Sequence, residues 1–271
     1  MYSGLEGRLE LEKDLSAALQ EQQFFLLYQP IFDLASRELV SVETLIRWQH
    51  PTRGVVAPDS FIPLAEESGL IVPIGRWVLD EACRQAAAWA ERGTQIGVSV
   101  NVSAHQLGRG DFAEDVRRAV GSSGLAPSSL ILELTETTVM RHLRAACERL
   151  EEVKALGVQV AIDDFGTGYA SLSYLQRIPV DVLKVDKSFV AALSDGGQGR
   201  ALLQAILGVG RALSLAVVAE GIAEPSQLGA LEEIGCELAQ GFFMGRPCGP
   251  EAIEKLRSTA GWRPAVGSRA A

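Results

Sequence analysis

Residues Val158 to Asp186 read VQVAIDDFGTGYASLSYLQRIPVDVLKVD. Two short apolar runs, VQVAI and VDVLKV, frame a glycine-containing turn and a helical stretch, SLSYLQRI, so the segment reads as strand, helix, strand. Strands this short and this apolar belong to a parallel sheet covered by helices. Both runs end in charge: Asp163 and Asp164 close the first, Lys184 and Asp186 the second. Outward from this unit the same alternation recurs. IGVSVNVS precedes DFAEDVRRAV, LILELTET precedes LRAACERLEEVKAL, LAVVAEG precedes PSQLGALEEIG, and CELAQGFF precedes PEAIEKLRST.

The chain opens differently. FFLLYQPIFDL and ELVSVETLIRW flank ASR, which predicts a β-hairpin, and helices are expected over Pro58–Ser68 and Ile71–Arg92. Eight strands, counting the hairpin, in a chain of 271 residues predict an α/β fold closed as a (β/α)8 barrel of TIM type. An open, doubly wound sheet is the rival. AVGSSG (119–124) and DGGQG (195–199) read as loops. Residues 1–14 read as an amphipathic linker helix, 15–258 as the barrel domain and 259–271 as a flexible tail.

Composition narrows the function. A net charge of −9 supplies no basic field for long nucleic acid. No apolar run approaches the ~20 residues of a membrane span, and the charged N-terminus lacks a signal-peptide core, so a cytoplasmic location is expected, with a longer parent protein free to carry its own anchor. The four cysteines are scattered, which argues for reduced thiols; His50, His105 and His142 lie apart and read as surface or capping residues.

The position of the polar residues carries the chemistry. Glu43, Asn101, Glu133, Asp163 with Asp164, Lys184, Glu220 and Gln240 each end a predicted strand. In a β/α barrel those ends share one rim, where active sites are built. Carboxylates converging there repel by roughly 4 kcal/mol per contacting pair at an effective dielectric near 20. Oxygen donors with one amide suit two Mg²⁺ or Mn²⁺ ions better than zinc, and a two-ion site suits phosphoryl transfer. Asp163 and Asp164, adjacent at a strand end, suit a bridging and a terminal ligand.

Alternation along ETLIRW turns Leu45 and Arg47 to the side of Glu43 and turns Thr44 outward. Leu45 then offers an apolar wall; Arg47 forks onto a phosphate or serves as a surface ion-pair partner. Gly166 and Gly168 fit either plain turn chemistry or a mobile loop, with Thr167 or Ser171 as helix cap. Glu136 either holds that loop or caps a helix. Lys184, inside an apolar strand, requires partners or a wet mouth. Glu220 completes a metal site or accepts a proton from water, and both roles stay open.

These motifs together resemble the EAL domain, the family of cyclic di-GMP phosphodiesterases, over roughly Leu15 to Leu256. YQPIFDL, ETLIRW, FIPLAEESGLI, SVNVSA, LELTET, IDDFGTGYASLSYL, VDVLKVDKSFV, VVAEGI and AQGFFMGRP stand in the family's order. The resemblance implies a barrel with an antiparallel first strand. It implies hydrolysis of cyclic di-GMP to linear pGpG with Mg²⁺ or Mn²⁺, inhibited by Ca²⁺. By motif, Glu43, Asn101, Glu133 and Asp163 resemble the ligands of one ion, and Asp163, Asp164 and Glu220 those of the second. Catalytic roles fall to Asp163, to Lys184 near the attacking water and to Glu220 as base. Gln29, Leu45, Arg47, Asp186 and Gln240 are expected to bind substrate, and Glu136 to anchor the loop. The family also implies a homodimer and an upstream regulatory or cyclase domain. Thr44 replaces the usual alanine or valine of the signature triplet, with an expected effect on stability more than on chemistry. A silent cyclic di-GMP-binding module is the alternative, and another two-metal phosphohydrolase a third reading.

Overall fold

The apolar runs become the strands of a single sheet in the computed structural model, which describes residues 5–168, 172–195 and 197–258. Strands β1 (Phe24–Asp33) and β2 (Leu39–His50) form the expected antiparallel hairpin, with Gln29 opposite Glu43. A short β3 (Gly54–Val56) folds back on the far end of β2. The remaining staves are β4 (Gly97–Asn101), β5 (Leu130–Thr135), β6 (Gln159–Phe165), β7 (Val182–Val185), β8 (Ala216–Ala219) and β9 (Leu238–Ala239). From β2 through β4 to β9 every neighbouring pair is parallel. β9 then pairs antiparallel with β1, closing the sheet. The chain is therefore a (β/α)8-type barrel with an inverted first strand, and the open-sheet rival falls.

Helices α1 (Leu5–Ala18), α2 (Pro58–Ser68) and α3 (Ile71–Glu91) cover the hairpin side. Alternation in β2 sends Val42, Thr44 and Trp48 outward into this layer, where all three are buried. Trp48, Phe24, Phe61 and Trp77 pack there with ring centroids 5.7–6.0 Å apart, each such pair worth about 0.5–1.5 kcal/mol beyond its buried area. α1 runs through the boundary expected at residue 14, burying Leu11, Leu15 and Ala18.

Three expectations need correction. His50 is buried, not a surface residue: its Nδ1 accepts the Thr52 N–H at 3.2 Å, which leaves Nε2 as the donor to Asp14 Oδ2, 3.0 Å away on α1. Ala119–Ser123 are helical, because the helix Phe112–Ser123 continues its buried stripe of Phe112, Val116 and Ala119 until Gly124 takes φ 73° and ends it. Gly197–Gly199 begin the helix Gly197–Ala212. Here glycine serves close approach, since a Cβ on Gly199 would lie 2.2 Å from the Ala192 carbonyl oxygen. The tail expected at 259–271 and the capping candidate Ser171 lie outside the described residues. Among the described residues, no helix is long and apolar enough to cross a membrane.

Thr44 is 3% exposed, and its Oγ1 has no hydrogen-bond partner. An orphaned buried hydroxyl costs about 1–3 kcal/mol. Thr44→Val, which keeps the branched shape and removes the hydroxyl, is expected to raise the unfolding free energy by about 1 kcal/mol. Urea denaturation reads this directly; an unchanged or lower midpoint contradicts it.

Candidate active site

The parallel register brings the strand ends level. Glu43 pairs across to Ser99, Asn101 to Glu133, and Thr135 to Asp163, so β2, β4, β5 and β6 deliver their polar residues to one rim. Between Ile162 and Phe165 the β6–β7 pairing shifts register, and Asp163 and Asp164 occupy this bulge. Bulges re-aim side chains beside active sites. Asp164 takes φ 54°, a left-handed conformation that aspartate and asparagine tolerate better than most residues, and its N–H donates to Asp163 Oδ1 at 2.9 Å.

Lys184 organises the rim. Its Nζ lies 2.8 Å from Glu220 Oε1, 2.9 Å from Glu133 Oε2, 3.3 Å from Asp163 Oδ1 and 3.4 Å from Glu43 Oε2. Burial opposes its charge, yet Glu133, Glu43, Glu220 and Asp163 together raise its pKa well above the ordinary value. Burial raises Glu133 to about 8 and Glu220 to about 7, with Lys184 acting against it in both cases. Burial also pushes Glu43 upward, but Lys184 and the amides of Gln240 and Asn101 outweigh it and hold the carboxyl below its usual range. Those amides donate to Glu43 Oε2 at 2.7 Å and Oε1 at 3.1 Å. Burial, then Asp163 and Asp186, raise Asp164.

One ammonium thus faces four carboxylates, with Asp164 beside them. The excess negative charge calls for a further cation. Carboxylate oxygens of Asp163, Asp164 and Glu220 lie within 4.8 Å of one another, so three hard donors already converge. The donor set fits a divalent cation that prefers oxygen.

Other predicted residues lie around this centre. Gln29, Glu43, Glu220 and Gln240 line a cleft of about 320 Å³. Leu45 faces a separate cavity of about 500 Å³, bounded also by Asn101, α2 and α3. Arg47 Nη1 donates to the neighbouring Ile46 carbonyl at 2.8 Å, so its guanidinium is turned back on its own strand. Asp186 Oδ1 accepts the Ser188 N–H at 3.0 Å and caps the helix Lys187–Ala191. Glu136 Oε2 accepts the Gly166 N–H at 3.2 Å, and a Cβ at Gly168 would lie 2.3 Å from Glu136 Oε1. Glycine is therefore needed here for the carboxylate to approach the loop. Among the described residues, the Thr167 hydroxyl donates to the Asp164 carbonyl at 2.8 Å. Lys187 and Phe242 also line the 320 Å³ cleft, and neither stands out in the sequence. The available signal is an aromatic residue two places after a strand-end glutamine.

Lys184→Met strands Glu133, 1% exposed, without its counter-charge. Removing one partner of a buried ion pair costs about 3–5 kcal/mol, so chemical denaturation is expected to show a loss of that order; an unshifted midpoint denies the ammonium this role. Glu136→Ala removes the acceptor of the Gly166 N–H, and faster amide exchange at Gly166 is expected. Unchanged exchange there means that the loop is held by other contacts.

The family model described as EAL domain matches residues 12–247. The chain is 43% identical over 254 residues to the Pseudomonas aeruginosa bifunctional diguanylate cyclase/cyclic di-GMP phosphodiesterase MucR, covering 93% of this chain and 37% of that protein. It is 43% identical over 249 residues to the cyclic di-GMP phosphodiesterase NbdA of the same organism, covering 92% of this chain and 32% of that protein. The chain therefore spans about a third of the length of these relatives. Among solved structures, the MucR phosphodiesterase in complex with cyclic di-GMP superimposes with a TM-score of 0.86 at 44% identity, over 90% of this chain and 99% of that one. Barrel closure, the inverted first strand and the match across the domain lead to one conclusion: the chain belongs to the EAL domain family.

Proposed function

We propose that this domain is a metal-dependent phosphodiesterase that hydrolyses one phosphodiester bond of cyclic di-GMP to linear pGpG. The observation that carries the reading is the rim itself, where Glu43, Glu133, Asp163 and Glu220 surround Lys184 Nζ within 3.4 Å. The names of the two P. aeruginosa relatives, and the ligand bound to the MucR domain, support the substrate.

Glu43, Asn101, Glu133 and Asp163 would hold one Mg²⁺ or Mn²⁺, and Asp163, Asp164 and Glu220 a second. Bound there, the cations supply electrophilic stabilisation of the phosphoryl oxygens and make water a stronger acid. The protein's own groups do the rest. Asn101 and Gln240 fix the Glu43 carboxylate by hydrogen bonds to its two oxygens. Lys184 orients water and meets charge developing on the phosphoryl group, and Glu220 accepts the water's proton. Glu136 keeps the loop beside Asp164 in place. Gln29, Leu45, Arg47, Asp186 and Gln240 bind the dinucleotide, with Arg47 swinging away from Ile46 to do so. Relatives about three times as long support an upstream regulatory domain, and homodimerisation and a cytoplasmic location belong to the same reading.

Purified domain incubated with cyclic di-GMP and Mg²⁺ is expected to release pGpG, resolved by chromatography. Asp163→Asn or Glu43→Ala is expected to lower turnover at least a hundredfold, on the order of 3 kcal/mol of transition-state stabilisation. Near-wild-type rates in either variant overturn the mechanism. Tight binding without product, in a folded protein, favours the silent binding module.

A further inference from the structure

Asp164 stands outside both ladders of its strand: β6 pairs with β5 up to Asp163, and with β7 at Ile162 and next at Phe165. Its left-handed backbone is therefore held by the turn that follows. Thr167 closes that turn, its N–H and hydroxyl donating to the Asp164 carbonyl at 3.3 Å and 2.8 Å. Gly166 sits inside the turn at φ 97°, with its N–H on Glu136 Oε2. The space that a Gly166 side chain would take is filled by a ring. A Cβ there would lie 2.5 Å from Cζ and 2.6 Å from Cε2 of Phe189.

The ring stands on a fixed support. Phe189 belongs to the helix Lys187–Ala191, which follows β7 after Asp186. Asp186 Oδ1 accepts the Ser188 N–H at 3.0 Å, the Phe189 N–H donates to the Asp186 carbonyl at 3.1 Å, and the next residue, Val190, is fully buried. β7 also carries Lys184, whose Nζ lies 3.3 Å from Asp163 Oδ1. One strand thus reaches the bulge twice, by an ammonium to Asp163 and by an aromatic ring to the turn after Asp164. A ring packed on a Cα blocks rotation of the peptide toward it, because close-packed atoms leave no room to move. The carboxylate so aimed is one of the three that converge, with Asp163 and Glu220.

We infer that Phe189 is a positioning residue for Asp164: its ring, seated on Gly166, sets the turn that aims the Asp164 carboxylate into the cation-binding cluster. This rests on the metal-dependent reading above and adds a residue to it. Phe189 acts through the backbone of the turn. Groups that orient a ligand without touching the metal change metal affinity by about tenfold to a hundredfold.

The test uses the whole chain, with Mn²⁺ alone as the probe. In metal-free protein, amide exchange at Gly166 is expected to be about tenfold faster in Phe189→Ala. Phe189→Met, whose long unbranched side chain still reaches the turn, is expected to recover most of the protection. Titration calorimetry is expected to show Phe189→Ala weakening the same Mn²⁺ that Asp164→Asn weakens, by about tenfold to a hundredfold, and sparing any ion that Asp164→Asn spares. Gly166→Ala must displace the ring in the wild-type background and has room in Phe189→Ala, so it is expected to weaken Mn²⁺ binding more in the former. The backbone strain of a residue other than glycine at this φ is common to both backgrounds, and the difference reports the ring.

Wild-type exchange at Gly166 in Phe189→Ala overturns the inference, as does faster exchange with unaltered Mn²⁺ affinity, since the turn would then move without moving Asp164. Weakening of an ion that Asp164→Asn spares, a methionine variant no better than alanine, or an equal Gly166→Ala penalty in both backgrounds overturns it too. Wild-type protein that takes up no Mn²⁺ defeats the metal-dependent reading itself; wild-type uptake that Phe189→Ala leaves untouched defeats only the role of Phe189.

Discussion

The rim of the barrel depends on one buried ammonium shared among carboxylates. Lys184 reaches Glu43, Glu133, Asp163 and Glu220 from four separate staves, and without it the repulsion among them would oppose closure of the strand ends. Its single charge still leaves the cluster negative. The fold thus tolerates local electrostatic frustration where the chemistry is expected, and offsets it with apolar packing elsewhere, including the Phe24, Trp48, Phe61 and Trp77 cluster beneath α2.

That balance works only if the staves hold their register. At the opposite end of β6 and β7, the Asp181 carboxylate accepts the Val160 N–H at 2.9 Å and pairs with Lys154, while the Asp181 N–H donates to the Val160 carbonyl at 2.9 Å. This knot fixes how far β7 slides against β6, and hence the height of Lys184 relative to Asp163. The inverted first strand serves the same purpose on the other side. Because β1 pairs with both β2 and β9, Gln29 and Gln240 flank Glu43, and an amide from each direction is available to the rim.

Much of this is legible in the order of residues alone. Period-two alternation places Glu43 and Thr44 on opposite faces of β2, and clustered strand-end acids point to a common rim. Local patterns mislead where long-range contacts decide. His50 resembles a surface histidine because its partner, Asp14, is 36 positions away on a different element. Gly121 and Gly199 resemble loop residues because propensity counts glycine against a helix, whereas a buried stripe and a close approach to Ala192 outweigh that preference. Lys184 is recognisably out of place in an apolar strand, but four partners at once emerge only from barrel closure. Phe242 leaves only a faint mark in the sequence, an aromatic residue two places after Gln240, since exposure and a stacked guanidinium are properties of the folded turn.

The bulge at Asp163–Asp164 also limits what evolution can place there. A φ of 54° admits glycine, asparagine and aspartate with little penalty, and of these aspartate alone carries a negative oxygen donor. Glutamate would preserve the charge while resisting the backbone; asparagine would accept the backbone while surrendering the charge. Aspartate is thus the residue that combines an easy left-handed backbone with a carboxylate, although Gln22, at φ 54° as well, shows that the fold also holds a longer side chain in that conformation.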